Sequence, residues 1–301
     1  MRHIFIVNPI SGKGAALQLE PALKAALERT DLDWEIYHTK APGDATEFVR
    51  RTAAETPARF YACGGDGTLH EVIAGVMDFP ESAVGVIPAG TGNDFIKSFA
   101  DPTAFRDPMK QLNGTLHKID LIKAGEHFAA NVINIGFDCE VVAWVAAHRN
   151  NPLCRGTLAY LLGVLNILFR KLGLELRFKR NGREEKGRYL LCTAANGQFY
   201  GGGFRPAPRA ALDDGLIDFA TVRKVSRLRF LSLLPSYRTG GYIDRKDVKD
   251  ILTTDRCSKV EIAAPEGGNI CIDGEIYPFT EITLEILPGV VNFILPEGCE
   301  S

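Results

Sequence analysis

The chain is most easily bounded by what it lacks. Its seven cysteines (63, 139, 154, 192, 257, 271 and 299) never form a C-x-x-C pair, so neither a zinc framework nor a disulfide scaffold is expected; they read as reduced thiols in a cytoplasmic protein. The six histidines show no metal-ligand spacing, and His70 reads as a packing or hydrogen-bonding residue. Lys and Arg number 35 against 37 Asp and Glu, a net charge of −2, which leaves no global basic field to recruit nucleic acid. The longest apolar run, 158–169, is interrupted by Asn166. It falls short of the ~20 residues a bilayer span needs and predicts a buried helix, with a membrane-facing helix as the alternative. The N-terminus runs straight into the strand-like Ile4-Phe5-Ile6-Val7 and leaves no room for a signal peptide. There is no internal repeat, low-complexity tract or extended linker.

Two familiar nucleotide signatures are missing as well. No G-x-x-x-x-G-K-[ST] stretch occurs, and no G-x-G-x-x-G is followed by a ribose-binding acid. An ordinary P-loop ATPase and a standard dehydrogenase are thereby excluded. What is present is Cys63-Gly64-Gly65-Asp66-Gly67-Thr68, a glycine loop with a carboxylate at its centre. Glycines let backbone N–H groups close around a phosphate, yet a carboxylate there repels one. A divalent cation or a reacting hydroxyl beside it resolves the conflict, which points to phosphoryl transfer.

The 301 residues are enough for two domains. In the first part, strand-like runs (4–7, 34–38, 59–63, 83–87) alternate with helical faces (Leu19, Leu23, Ala26 and Leu27; Ala45, Phe48, Val49 and Thr52; Leu69, Val72, Ile73, Val76 and Met77), with Asp44 a cap for the second. This rhythm predicts an α/β domain on a parallel sheet. Beyond a boundary near Gly125, turn signals at Gly125-Glu126, Asn181-Gly182 and Asp273-Gly274 separate strand-like runs at 174–178, 188–194, 216–222, 259–263 and 281–287. Helix-like stretches at 140–148, 157–171 and 228–237 interrupt them. The expectation is a nucleotide-binding domain over 1–125 and a mostly antiparallel β-sandwich domain over 126–301, its last strands free to return to the first domain.

Three glycine loops follow strands of the first domain: Asn8-Pro9-Ile10-Ser11-Gly12-Lys13-Gly14, the Gly64–Thr68 loop, and Pro88-Ala89-Gly90-Thr91-Gly92-Asn93-Asp94. In an open parallel sheet all three lie at the carboxyl edge, where ligands bind. The plain alternative is three tight strand-to-helix turns. Asp66 can cap the following helix and still serve chemistry. Glu71 is either a first-turn acid matched to the helix dipole or a second contact to ligand or metal. Asp273 and Glu275 offer a carboxylate able to accept a hydroxyl proton, with Gly274 allowing a bulge that aims both at one site; the plain reading is a D-G hairpin. Likewise, Asp213-Asp214-Gly215 reads as a turn or as a hard-cation loop, and Asn196-Gly197 with Gly201-Gly202-Gly203 as a flexible loop or a wall of an acceptor site.

Together N-P-x-S-G-K-G, G-G-D-G-T-L-x-E-V and P-x-G-T-G-N-D-F resemble the diacylglycerol kinase catalytic-domain family, the soluble bacterial lipid kinases related to sphingosine, ceramide and NAD kinases. The resemblance continues through Lys118-Ile119-Asp120, Ala195-Asn196-Gly197, Leu212-Asp213-Asp214-Gly215 and Ile272-Asp273-Gly274-Glu275. It implies an α/β domain and a β-rich domain with ATP and Mg²⁺ in the cleft between them. Asn8, Pro9, Ser11, Gly12, Thr39, the Gly64–Thr68 loop, Glu71 and Thr91 would meet the nucleotide, and Asp66 would act with magnesium. Glu275 would accept the proton, with Asp273 beside it. Asp214, with the carbonyls of Ala211 and Leu216, would hold a structural Mg²⁺, linked to the active centre through Asp120 and water. His70 departs from the Asn commonly found there. The implied acceptor is a lipid alcohol, diacylglycerol first, reached by a cytoplasmic protein, a candidate homodimer, that touches the inner face of the membrane transiently; the alternatives are a kinase of a sphingoid base, another glycerolipid or NAD, and a non-catalytic nucleotide-binding regulator. Leu158 to Phe169 with Arg155, Arg170 and Lys171, and the basic run Arg223, Lys224, Arg227 and Arg229, are the candidate membrane-facing segments.

Overall fold

The computed structural model describes residues 1–148, 156–168 and 173–300. Cys154, Arg155, Phe169, Arg170 and Lys171, named above, lie outside the described residues. The chain divides into two compact units, Met1–Asp120 with Pro288–Ser301, and Leu121–Leu287.

In the first unit, β1 (Arg2–Val7) leads through a short 3₁₀ turn, Ser11–Lys13, to α1 (Ala15–Leu27). Next come β2 (Trp34–His38), α2 (Asp44–Glu55), β3 (Ala58–Gly64), α3 (Asp66–Val76), β4 (Ala83–Pro88) and the short α4 (Pro108–Leu112). β1 pairs in parallel with β2 and β3, and β3 with β4. Ile4 through Val7, Phe60 through Cys63 and Val84 are all buried. Unbroken apolar runs of this kind belong to strands covered on both faces. Helix α2 buries Ala45, Phe48, Val49 and Thr52. Asp44 does not cap it: Gly43 occupies the cap, and the Asp44 carboxylate accepts from Lys40 N and the Tyr37 hydroxyl instead.

The second unit contains most of β5 (Thr115–Ala124), then β6 (His127–Ala129), β7 (Val132–Gly136), α5 (Phe137–Ala147), α6 (Gly156–Leu168), β8 (Leu174–Arg180), β9 (Arg183–Ala195), β10 (Ile217–Arg223), α7 (Arg227–Thr239), β11 (Leu252–Cys257), β12 (Lys259–Ile272) and the start of β13 (Glu275–Leu295). Pairing here is antiparallel. β9 and β12 pair with β10 and β13, respectively, and each also divides its length between two further partners: one end pairs with β8, the other with β7. A register shift between Ala263 and Gly268 bends β12 between those partners. The strands enclose Ile133, Phe178, Phe219, Val260 and Leu284. A separate apolar layer joins α5, α6 and α7 through Phe137, Val141, Ile167, Phe230 and Tyr237.

β13 is 21 residues long and leaves the second unit for the first. There Asn292 and Phe293 pair in parallel with Ala83 and Val84 of β4. Phe293 is fully buried and packs against Phe95, Phe99 and Phe105. The re-entry point is tied down by Gly289, whose N–H donates to Asp120 Oδ1 at 2.7 Å.

Two outcomes follow from this packing. Phe293→Ala removes the centre of the aromatic cluster and lowers unfolding stability by about 3–5 kcal/mol in urea titrations. His3, buried against Tyr61 at 3.0 Å, has its pKa lowered from 6.5 to about 4, chiefly because burial disfavours the cation and then through Arg59. The unfolded chain therefore binds the extra proton first, so this contribution is complete above pH 6.5 and drains away as pH falls towards 4. A His3→Gln variant will show a shallower stability loss over that window than the parent.

Candidate active site

The carboxyl ends of β1, β3 and β4 carry the three glycine loops, and these loops are in contact. Asn8 N donates to Cys63 O at 3.1 Å, and Asn8 Nδ2 donates to Thr68 Oγ1 at 3.1 Å, which joins the first loop to the second. Ala89 N and Gly90 N both donate to Gly64 O, at 2.7 and 3.1 Å, which joins the second to the third. Gly12 has φ +58°, and a β-carbon there would sit 1.9 Å from Ala89 O. At Gly90 it would sit 2.4 Å from Gly65 Cα. No side chain fits at either position, so backbone lies directly on backbone. Ser11 Oγ lies over Gly65, Pro9 belongs to the first loop, Thr39 N donates to Val7 O beside it at 2.9 Å, and Thr91 is exposed at the tip of the third.

Asp66 does not cap α3 either; it is the first helical residue, behind Gly65. Its Oδ1 accepts from Phe95 N at 3.1 Å, so the third loop holds the carboxylate in place. A methyl group on Gly92 would lie 3.1 Å from Asp66 Oδ2 and 3.6 Å from Asp94 Oδ2; the two acids thus crowd one side of that loop. Asp94 is buried and pairs with Lys97 Nζ at 2.6 Å. Asn93 closes the turn, accepting from Gly90 N at 3.1 Å and donating to Gly90 O at 2.8 Å. Asn93, Asp94 and Lys97 were not picked out as site residues from the sequence, although Asn93 and Asp94 stand inside the quoted motif.

The first N–H groups of α3 have no acceptor within the helix, and its dipole favours an anion there. Gly67, in the first turn, has open space where a side chain would be. A phosphate drawn to this end meets two carboxylates and one lysine, a balance that a divalent cation completes. Glu71 faces elsewhere: its Oε2 accepts from Ala45 N at 3.2 Å, at the start of α2. It serves the dipole of the neighbouring helix rather than that of its own. Cys63 is buried, and burial pushes its thiol well above the ordinary range, so it is inert.

In the second unit, Ile272 pairs with Glu275 across a two-residue turn in which Asp273 and Gly274 have φ of +46° and +100°. This is the tight hairpin of the plain reading rather than the bulge that Gly274 would allow. The two acids diverge. Asp273 accepts from Ala130 N at 2.7 Å, Asn131 N at 3.1 Å and Val132 N at 2.9 Å, whereas Glu275 is exposed. Three backbone N–H groups thus occupy the carboxylate oxygens of Asp273 and tie the turn to residues 130–132. Loop 196–199 is fastened to the same segment: Asn196, fully buried, donates through Nδ2 to Ala130 O at 2.9 Å, and Asn131 Nδ2 donates to Phe199 O at 2.6 Å. The flexible reading of Asn196-Gly197 is therefore corrected.

Asp214 accepts from Leu216 N at 3.0 Å through Oδ1, while Oδ2 is ion-paired with Arg256. Among the described residues no group of three or more His, Cys, Asp or Glu assembles for a metal ion. Asp120 spends Oδ1 on Gly289 N.

Of the apolar segments, Leu158 and Leu165 on α6 and Leu228 and Leu231 on α7 are exposed. No helix among the described residues is long and apolar enough to cross a membrane. The basic run is engaged internally: Arg223 lies 5.6 Å from the Tyr189 ring, Arg227 Nε donates to Leu168 O at 2.7 Å, and Arg229 pairs with Asp250 at 2.8 Å. Inside the helical layer, Tyr237 donates to Asp138 at 2.9 Å, and burial raises the Asp138 pKa. No sequence motif marks that pair.

The divergence of the two acids separates two variants. Asp273→Ala strands three backbone donors and lowers stability by about 2–3 kcal/mol in denaturant unfolding, while Glu275→Gln leaves the unfolding midpoint unchanged.

Comparison with known proteins accords with this geometry. Residues 2–124 match the Diacylglycerol kinase catalytic domain, and residues 131–295 match the YegS C-terminal NAD kinase beta sandwich-like domain. A Pseudomonas aeruginosa protein named "Probable lipid kinase YegS-like" is 28% identical over 290 residues, covering 96% of this chain and 93% of its own length. A diacylglycerol kinase of Staphylococcus carnosus is 27% identical over 279 residues, covering 91% and 88%. The crystal structure of a diacylglycerol kinase from Bacillus anthracis superimposes with a TM-score of 0.71 at 20% identity, covering 98% of this chain and 97% of that one, a likeness of fold. Since the second match alone spans more than half of the chain, and the first covers the three loops, the chain belongs to the diacylglycerol kinase family of lipid kinases and is a phosphotransferase.

Proposed function

We propose that this protein transfers the γ-phosphoryl group of ATP, with Mg²⁺, to a lipid hydroxyl, and that its leading acceptor is diacylglycerol, giving phosphatidic acid. The observation that carries this reading is the interlock of three backbone loops around Asp66 at the start of α3. Asn8, Ser11, the Gly64–Thr68 loop and Thr91 bind and orient the triphosphate; Asp66, held by Phe95 N, receives the cation. A magnesium ion held there would offset the negative charge on the phosphoryl oxygens. The acceptor oxygen forms a bond to the γ-phosphorus, the bridging β–γ bond breaks, ADP leaves, and the hydroxyl proton passes to Glu275. Asp273 does not take part in that transfer; its bonds to Ala130, Asn131 and Val132 position the turn that presents Glu275.

A lipid acceptor requires a surface to draw it from. The exposed leucines at 158, 165, 228 and 231 suit shallow contact with a bilayer. Because Arg227 and Arg229 are already engaged by Leu168 O and Asp250, such contact rests more on apolar insertion than on charge. It places the protein transiently at the cytoplasmic face of the membrane.

The test is incubation with labelled ATP and an acceptor panel of diacylglycerol, a sphingoid base, monoacylglycerol and NAD in mixed micelles, followed by product identification. Labelled phosphatidic acid is expected. Asp66→Asn should lower turnover by at least ~10³-fold and Glu275→Gln by ~10²–10⁴-fold, both with native unfolding curves. Transfer to NAD alone, or turnover of Asp66→Asn equal to the parent's, defeats the proposal.

A further inference from the structure

In this chain a side chain stands where the resemblance calls for a structural cation. We infer that the Arg256 guanidinium is the permanent counter-ion of the 211–216 turn, and that the turn therefore needs no bound divalent metal.

Arg256 lies on β11 directly opposite Asp218 of β10, so their side chains emerge on the same face of adjacent strands. From there Nε reaches Asp218 Oδ2 at 3.3 Å, and the other arm of the fork ion-pairs with Asp214 Oδ2. One guanidinium thus bridges two carboxylates four positions apart, one in the turn and one in the strand that leaves it. The inner oxygen of Asp214 is committed to Leu216 N, which closes the turn from within. Backbone contacts hold Arg256 at its register: its N–H donates to Asp255 Oδ1 at 2.9 Å, and its carbonyl accepts from Asn181 Nδ2 at 3.1 Å.

A hard divalent ion takes about six oxygens at 2.0–2.6 Å, and a guanidinium seated on Asp214 Oδ2 competes with it for that oxygen. Arginine brings five donors and no acceptor, stays charged at every working pH, and matches paired carboxylates in shape. It therefore supplies positive charge to the turn and competes for the carboxylate oxygen a metal would use. The functional corollary rests on the kinase reading: magnesium is then required only as the partner of ATP, with no activation by free Mg²⁺ beyond saturation of the nucleotide.

The test needs no turnover and no nucleotide. Thermal unfolding is recorded for the parent, Arg256→Gln and the double variant Arg256→Gln/Asp214→Asn, each in EDTA and in millimolar magnesium chloride. The parent is expected to melt at one temperature in both. Arg256→Gln is expected to melt lower in EDTA and to recover about 2–4 °C with magnesium, a gain that the double variant loses. Electron paramagnetic resonance titration of the parent with Mn²⁺ alone provides a second readout that does not depend on any variant folding. Absence of a site removable by Asp214→Asn supports the inference. A magnesium-dependent rise in the parent's melting temperature, or a Mn²⁺ site in the parent, overturns it if Asp214→Asn abolishes the effect. So does an Arg256→Gln variant that folds yet melts at one temperature with and without magnesium.

Discussion

The first unit is organised by contact of bare backbone with bare backbone. Gly12 lies against the carbonyl of Ala89, and Gly90 lies against Gly65. A side chain at Gly12 or Gly90 would hold the three loops apart, and the hydrogen bonds Asn8–Thr68, Ala89–Gly64 and Gly90–Gly64 would be lost with them. The requirement for glycine in this chain is thus steric before it is a matter of ligand binding. Strand order adds to it, because β1, β3 and β4 are neighbours and deliver their loops side by side. Asp66 inherits its position from this arrangement, since the N–H that holds it belongs to Phe95 in the third loop.

Much of this was legible in the sequence because it is local. Glycine clusters after apolar runs mark turns at a sheet edge, and the alternation of runs and helical faces in the first part is dense enough to locate each element. The turn chemistry at Asn181-Gly182 and Asp273-Gly274 is equally direct, as positive φ at both residues of each turn requires. Capping was less legible. Asp44 and Asp66 both stand where an aspartate suits a helix start, yet a glycine takes each cap and each carboxylate bonds elsewhere.

What the sequence hid is contact over long separations. Nothing in Ile272-Asp273-Gly274-Glu275 reveals that the first acid is held by Ala130, Asn131 and Val132, more than 140 positions earlier in the chain. Nothing in Leu212-Asp213-Asp214-Gly215 reveals Arg256, which reaches Asp214 only because β10 and β11 pair in one particular register. Asp138 and Tyr237, 99 positions apart, meet only inside the helical layer. In each case the residue type was visible and its partner was not, so a carboxylate with a structural task looked the same as one with a chemical task.

The course of β13 has a consequence for biosynthesis. The sheet of the first unit gains its last strand, and the aromatic cluster its central ring, from residues 288–295, near the end of a 301-residue chain. On the ribosome, β1 to β4 emerge well before residues 288–295, so the β4 edge stays open until that strand has been made. A chain cut short before residue 288 would therefore damage the sheet built from its earlier strands as well as lose the strand itself.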